Sequence, residues 1–434
     1  MIVIDKFKAN FLLAFLLISS LLGSGIFNVF SLIFTITLLY EMFKNNDLNY
    51  LSQKWLKFLL IFYIILIIST LLSEYRSEIF LKNLAFFRFF LLALSVQYCL
   101  QKFKNTHLFL YIITGITFFI SFDSFIQYFF GTNLFGNNLI QENIARIRLT
   151  SIFGDEEIVG SYLIKFLSLG TIGCLMLFKN NKIITYFYFI LISFIILISQ
   201  ERMAFLLLLL SISLILIFYL WDKKIKEFFF IIIISLFSII LIFNFDESLK
   251  ARYLSIFTNS SGFAKVTYDQ NNNPINVIES VSEIKKVKLS FKDSIWGAHY
   301  LTAFEIFKNN LLIGSGPRSF RYECGEKKYE NLDIHYIDKR CSTHPHNFFL
   351  EILSETGLIG FCYFLFLLAY FYISQFRFFL QKKNFNHVFG LMAIFVNLWP
   401  IASSGSIYAS FNGLVIWITI GYVLSFSENN SKSL

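Results

Sequence analysis

The side chains best suited to chemistry stand together late in the chain, in Ser342-Thr343-His344-Pro345-His346-Asn347, which leads straight into an apolar run from Phe348. Pro345 suits the first turn of a helix, where its missing N–H and fixed φ do no harm, and Ser342 or Thr343 can cap that turn. His346 is then expected at a helix N-terminus. The positive end of the helix dipole disfavours imidazolium, so the ring is expected neutral near pH 7 and able to accept a proton. On this pattern alone a structural, hydrogen-bonding histidine is the commoner outcome, and a general base the more consequential one. Cationic partners lie just upstream, where Arg318 and Arg321 follow the turn Gly314-Ser315-Gly316-Pro317. With no strand before them these glycines make a weak phosphate loop, and they are expected to end a helix.

Other ionisable residues interrupt apolar runs: Arg88, Asp123, Lys165, Arg202, Glu351 and Glu355. The runs themselves are the main content of the sequence. Hydrophobic residues make up 56% of the 434, and charged residues only 15%. A water-soluble domain does not need that much apolar surface, so the solvent is lipid. A helix needs about 20 apolar residues to cross the hydrocarbon. By that measure spans are expected near 11–24, 26–43, 56–73, 79–100, 108–130, 157–178, 183–199, 203–220, 227–244, 348–373, 386–402 and 411–427. The expected fold is an all-α integral membrane protein of about twelve transmembrane helices. One large periplasmic loop, 245–345, separates helices nine and ten, dividing the chain into 1–244, 245–345 and 346–434.

The net charge of +9 is distributed as a topology signal, which argues against nucleic acid as a partner. Lys6 and Lys8, Lys44 and Lys54, Lys102 and Lys104, Lys179 and Lys182, Lys223, Lys224 and Lys226, and Arg377, Lys382 and Lys383 fill one set of connections. The alternate set is nearly bare, so the first set is expected inside, with both termini cytoplasmic in a bacterial inner membrane. Charges within spans are expensive and mark function. On this topology they crowd toward the outer leaflet, as in a cavity for a lipid headgroup. A transporter would place them near the midplane in matched repeats. A competing reading makes Arg88 and Asp123 a structural ion pair.

The long loop is expected to carry its own structure. Lys265–Tyr268 and Ile275–Ile278 flank an Asn-rich turn and predict a hairpin. Trp296, Tyr300, Phe304 and Phe307 have helical spacing and predict a helix along the membrane surface. Cys324 and Cys341 can pair if the loop faces an oxidising compartment, whereas Cys99, Cys174 and Cys362 read as small hydrophobes. Gly357 and Gly360 are expected to allow close helix packing.

Several segments, in this order, resemble the O-antigen ligases and related polysaccharide polymerases. They are Arg148-Leu149-Thr150-Ser151-Ile152-Phe153-Gly154, Glu201-Arg202-Met203-Ala204, Leu312-Ile313-Gly314-Ser315-Gly316-Pro317 with Phe320, and His346-Asn347 followed by Gly357-Leu358-Ile359-Gly360. The resemblance implies a metal-independent, cofactor-free membrane glycosyltransferase. Its donor would be an undecaprenyl-pyrophosphate-linked glycan, and its acceptor a hydroxyl of lipid A core or of a nascent glycan. His346 would then be the general base and Arg202 a catalytic contact to the pyrophosphate, supported by Arg148. Arg318, Arg321, Arg88, Lys165, Asn347 and His344 complete the expected substrate-binding set. Where many members carry an Arg at the opening of the loop helix, this chain reads Ser294-Ile295-Trp296-Gly297-Ala298-His299. Arg318 or Arg321 would supply the missing contact. A repeat-unit polymerase shares the donor. A flippase of the same lipid and a non-catalytic scaffold are the more distant alternatives.

Overall fold

The computed structural model describes residues 4–143, 146–223, 294–333 and 336–427, with Phe229, Ile233, Leu249 and Tyr253. Among these residues helices dominate, as lipid requires: a backbone surrounded by hydrocarbon must satisfy its N–H and C=O groups within one segment. In chain order they are α1 (Lys6–Ile18), α2 (Ser24–Lys44), α3 (Lys54–Leu72), α4 (Arg76–Leu84), α5 (Arg88–Phe103) and α6 (Thr106–Phe130). A small hairpin, β1 (Ile140–Asn143) and β2 (Arg146–Arg148), pairs antiparallel with Ile140 opposite Arg148. Then come α7 (Val159–Leu177), α8 (Lys182–Ile198), α9 (Arg202–Trp221), α10 (Ile295–Asn309), α11 (Phe320–Glu323), α12 (Phe348–Lys382), α13 (Phe385–Asn397) and α14 (Ser410–Leu424).

Each expected span except 227–244 coincides with helix; of that one only Phe229 and Ile233 are described, and the hairpin expected at 265–278 lies outside the described residues. Among the described residues seven helices are long and apolar enough to cross a membrane, counting α4 and α5 as one run from Arg76 to Phe103, while α8, α13 and α14 are shorter. The span expected at 79–100 is divided by a 3-10 turn at Ala85–Phe87, and Arg88 opens the second part. The span expected at 386–402 ends at Asn397, because Pro400 removes a backbone donor and disfavours helix just before it.

Two expectations at the start of α12 are corrected. The helix begins at Phe348, and its cap is Asn347, whose side-chain oxygen accepts from the N–H groups of Phe349 and Leu350 at 3.0 Å each. Neither Ser342 nor Thr343 caps it, and Pro345 stands before the helix. His346 has φ +58°, a left-handed conformation that turns the chain into the cap.

The helix α10 forms where expected but buries a different face. Ala298, His299, Thr302, Ala303 and Ile306 are turned inward against α12, while Phe304 is exposed. Small residues let the two helices approach, which a stripe of bulky aromatics would prevent. Beyond α10, Phe320, Cys324 and Tyr329 close a small core with Ala303 and Ile306, and Cys324 is disulfide-bonded to Cys341.

Gly357 breaks α12 with φ +63° and ψ −165°. The break frees backbone groups on both sides, and residues 311–316 satisfy them. The N–H groups of Leu358 and Ile359 donate to the carbonyls of Leu311 (2.8 Å) and Leu312 (3.1 Å). In return the N–H groups of Ser315 and Gly316 donate to Ser354 (3.1 Å) and Glu355 (2.9 Å). A Cβ on Gly314 would collide with the Glu355–Thr356 backbone, and one on Gly357 with Leu312–Ile313. Gly357 therefore serves a backbone seam rather than helix-on-helix packing, and a Cβ on Gly360 would meet only its own helix's Thr356. From below, the α3 hydroxyl of Ser69 donates to the carbonyls of Ile313 (2.8 Å) and Glu355 (3.0 Å). Asn83 of α4 donates to that of Pro317 (2.9 Å).

Candidate functional site

Chain reversals put the starts of α5, α7, α9, α12 and α14 at one end of the bundle, and the ionisable residues singled out in the sequence gather there. What joins them is the connection between α13 and α14 with the first turn of α14, residues 398–412. Ser404 donates its N–H to the carbonyl of His346 (2.8 Å), and its own carbonyl faces Nε2 of His344 (3.1 Å). The N–H of Ile407 donates to Glu351 (3.0 Å). The carbonyl of Tyr408 accepts from the Arg318 guanidinium, which also lies 5.6 Å from the Tyr408 ring. Ser410 accepts from Arg88 (3.3 Å), and Asn412 accepts from Lys165, whose ammonium sits over the Phe411 ring at 5.0 Å.

Asn347 ties His346 to this connection. Its amide N–H groups donate to the carbonyls of Pro400 (2.7 Å) and Ala402 (3.3 Å) while its oxygen caps α12. Both ends of the amide are thus engaged within the chain. Glu351 and Glu355 do similar framework work. Glu355 accepts from the N–H groups of Arg318 (2.7 Å) and Phe320 (3.0 Å), fixing the turn that aims Arg318.

The His346 ring lies in a slot of other rings. Its centroid is 4.3 Å from His344, 5.1 Å from His299 and 5.0 Å from Trp296, the last nearly perpendicular. A carbonyl can only accept, so the Ser404 oxygen fixes the proton of His344 on Nε2, leaving Nδ1 to accept from the Thr343 hydroxyl at 2.9 Å. The Arg340 carbonyl, 3.2 Å from Nδ1 of His299, likewise fixes that proton on Nδ1. Burial pushes the His346 imidazole down to about 3, assisted by its neighbours His344 and His299. The neutrality expected from the helix dipole is present, but its causes are desolvation and neighbouring imidazoles.

A second arm of the site starts at Glu201-Arg202. Glu201 accepts from the N–H groups of Gly160 (2.6 Å) and Ser161 (2.9 Å) and from the Ser161 hydroxyl, occupying the otherwise orphaned N-terminus of α7. Arg202, half-buried, opens α9 beside it. Arg148 on β2 pairs with Glu157 (3.1 Å) and donates to the Ser199 carbonyl (3.4 Å). A cavity of about 100 Å³ links the arms; Lys165, Met203, Asn397, Ser404 and Asn412 are among the residues lining it. Arg321 is exposed and acts on the site through its charge, which opposes protonation of His344.

Arg88 and Asp123 do not form the ion pair considered above. Asp123 accepts from Asn133 (3.1 Å), the N–H of Leu134 (3.0 Å) and the Ser151 hydroxyl (2.5 Å), holding the 131–151 segment. The sequence reading missed His299, Trp296 and the whole 398–412 connection. A signal for the last was present in Pro400 and Ser403-Ser404-Gly405-Ser406, a breaker followed by turn formers. Among the described residues no histidine, cysteine, aspartate and glutamate group is arranged to hold a metal ion.

Residues 187–365 match the family model described as O-antigen ligase. No curated protein matches the chain.

Proposed function

On the premise that residues 187–365 carry the O-antigen ligase match, we propose that this chain is a membrane glycosyltransferase. It transfers a glycan from undecaprenyl pyrophosphate to a hydroxyl of lipid A core at the outer face of the bacterial inner membrane, with both termini cytoplasmic. The match supports an O-antigen ligase- or polymerase-type membrane enzyme. The observation that carries the finer reading is His346. It is a neutral imidazole packed against Trp296, His299 and His344, and its carbonyl accepts from Ser404 of the connection that anchors Arg318, Arg88 and Lys165.

In this scheme the acceptor hydroxyl attacks the anomeric carbon, and its proton passes to the bare nitrogen of His346. The bond from that carbon to the pyrophosphate oxygen breaks, and its electron pair leaves with the pyrophosphate. Arg202 is aimed at the leaving group, with Arg148 in support, since guanidinium groups bind phosphate oxygens through paired, charge-assisted hydrogen bonds. Direct displacement inverts the anomeric configuration. An imidazole with so low a proton affinity would be a weak base in the empty site. The charge of the bound pyrophosphate stabilises imidazolium and raises that affinity, so the base becomes effective only with donor in place. In this reading Arg318, Arg321, Arg88 and Lys165 hold the donor, His344 packs against the His346 ring, and Asn347 positions His346 through its cap. Neither metal nor cofactor takes part.

The test is a chromosomal deletion complemented with wild type or His346→Ala, read on gels of lipopolysaccharide and of undecaprenyl-linked glycans. Bare core beside accumulated full-length lipid-linked polymer supports the ligase. Core bearing a single repeat unit indicates a repeat-unit polymerase with the same donor. Unchanged pools would overturn both.

A further inference from the structure

His299 lies 5.1 Å from His346, ring to ring, and is a titratable neighbour to which the reading above gives no part in proton transfer. The other neighbour, His344, is saturated, with Nε2 on the Ser404 carbonyl and Nδ1 on the Thr343 hydroxyl. His299 differs. Its Nδ1 proton is fixed by the Arg340 carbonyl, and Nε2 takes no hydrogen bond among the described residues. A neutral imidazole in that tautomer offers a lone pair at Nε2.

The anchor of His299 is itself held from two sides. Arg340 donates Nε–H to the Cys324 carbonyl (2.9 Å) and a second N–H to that of Ile337 (3.3 Å). The next residue, Cys341, is disulfide-bonded to Cys324. The carbonyl that sets the tautomer of His299 is therefore fixed by a covalent cross-link and a guanidinium fork. On the other side Trp296, one turn before His299 on α10, lies against the His346 ring.

Resting on the transfer reaction above, we propose that His299 is a positioning residue that carries away the proton His346 takes from the acceptor hydroxyl. His346 accepts that proton on one ring nitrogen and gives up the proton on the other to Nε2 of His299, directly or through one water. His299 becomes imidazolium, its Nδ1–H still on the Arg340 carbonyl, and loses a proton to water. His346 is then neutral in the other tautomer, and a ring flip or proton exchange with water restores the starting one before the next turnover.

The groups that face His299 set the pH dependence. They are His346 and His344 from the segment before α12, the Arg340 carbonyl from the disulfide-bonded loop, and uncharged Trp296 from its own helix. Arg321 adds positive charge near His344. The carboxylates of Glu351 and Glu355 are turned instead to the N–H groups of Ile407, Arg318 and Phe320. The surrounding charge is thus neutral to positive. It opposes lasting protonation of His299, as rapid release of the proton requires.

The experiment uses the purified full-length protein with a polyprenyl-pyrophosphate-linked glycan and its acceptor, and compares His299→Asn with His299→Ala. The asparagine amide can keep the hydrogen bond to the Arg340 carbonyl but cannot relay a proton. Both variants are expected to lose roughly ten-fold or more in kcat, with donor KM within two-fold and unchanged melting temperature. Added imidazole should restore His299→Ala, and in both variants the acid limb of the kcat profile should keep only the part that belongs to His346. Near-wild-type kcat in His299→Asn, or absence of imidazole rescue in folded His299→Ala, overturns the relay. His346→Ala separates the two claims: if it retains wild-type transfer, the reaction assigned above fails rather than the relay.

Discussion

Two regions hold the start of α12, and they do so in opposite ways. Along the 311–316 seam the contacts with α12 run from backbone to backbone, supported from α3 by the Ser69 hydroxyl, and Gly314 and Gly357 keep the two backbones close. Along the 398–412 connection they run from side chain to backbone, through His344, Asn347, Glu351, Arg318 and Arg88. The first region can fix a position but perform no chemistry. The second holds groups whose chemistry suits proton transfer and phosphate binding. Substitutions in the seam should therefore be lost as fold, and those at the connection as function with fold retained.

The largest test of that contrast is His346→Ala, expected to lower transfer by about 10²–10⁴-fold while the melting temperature in detergent holds. A matching loss of stability would erase the distinction. Next is Arg202→Lys, which keeps the charge but not the planar fork. It should cost on the order of 10²-fold in kcat, and wild-type turnover would remove Arg202 from the leaving-group site. On the seam, Gly357→Ala should cost roughly 1–3 kcal/mol for the left-handed backbone alone, added to the collision with Leu312–Ile313. A folded, active Gly357→Ala protein would show that the seam can slide. Asn347→Ala should cost about 0.5–2 kcal/mol for the lost cap and, by freeing residues 400–402, lower kcat as well.

The smallest effect expected is one of pH on stability. The His346 imidazole falls from 6.5 in the unfolded chain to about 3 in the folded one, so the unfolded state binds the extra proton. Its contribution is full above pH 6.5 and is lost as pH falls from 6.5 toward 3. His299 and His344 are also shifted downward by burial and act in the same sense. Melting temperatures should drop between pH 7.5 and 5, and His346→Gln should narrow that drop.

The long apolar helices were legible because hydrocarbon imposes a length and a composition that a single sequence displays without tertiary information. His346 was legible for a related reason, as a polar, proton-accepting residue where apolar sequence resumes. The cap was not. Ser342, Thr343 and Asn347 all suit an N-cap, and only the left-handed turn at His346 decides among them. The 398–412 connection was obscured because Leu398, Trp399, Ile401 and Ala402 read as the end of a span. Its contacts with α5 and α7 reach across hundreds of positions, and those with α12 across more than fifty, beyond any local pattern. Similarly, His299 sits on a helix whose bulky stripe drew attention to Trp296 and Phe304, whereas the face against α12 is the small-residue one.

The backbone seam has a consequence for how such a protein can diverge. Peptide groups are the same in every residue, so a joint made from them places almost no demand on the letters at positions 311, 312 and 313. Substitutions there can therefore reshape the neighbouring surface while the attachment point stays unmoved, with Gly314 and Gly357 marking where it lies.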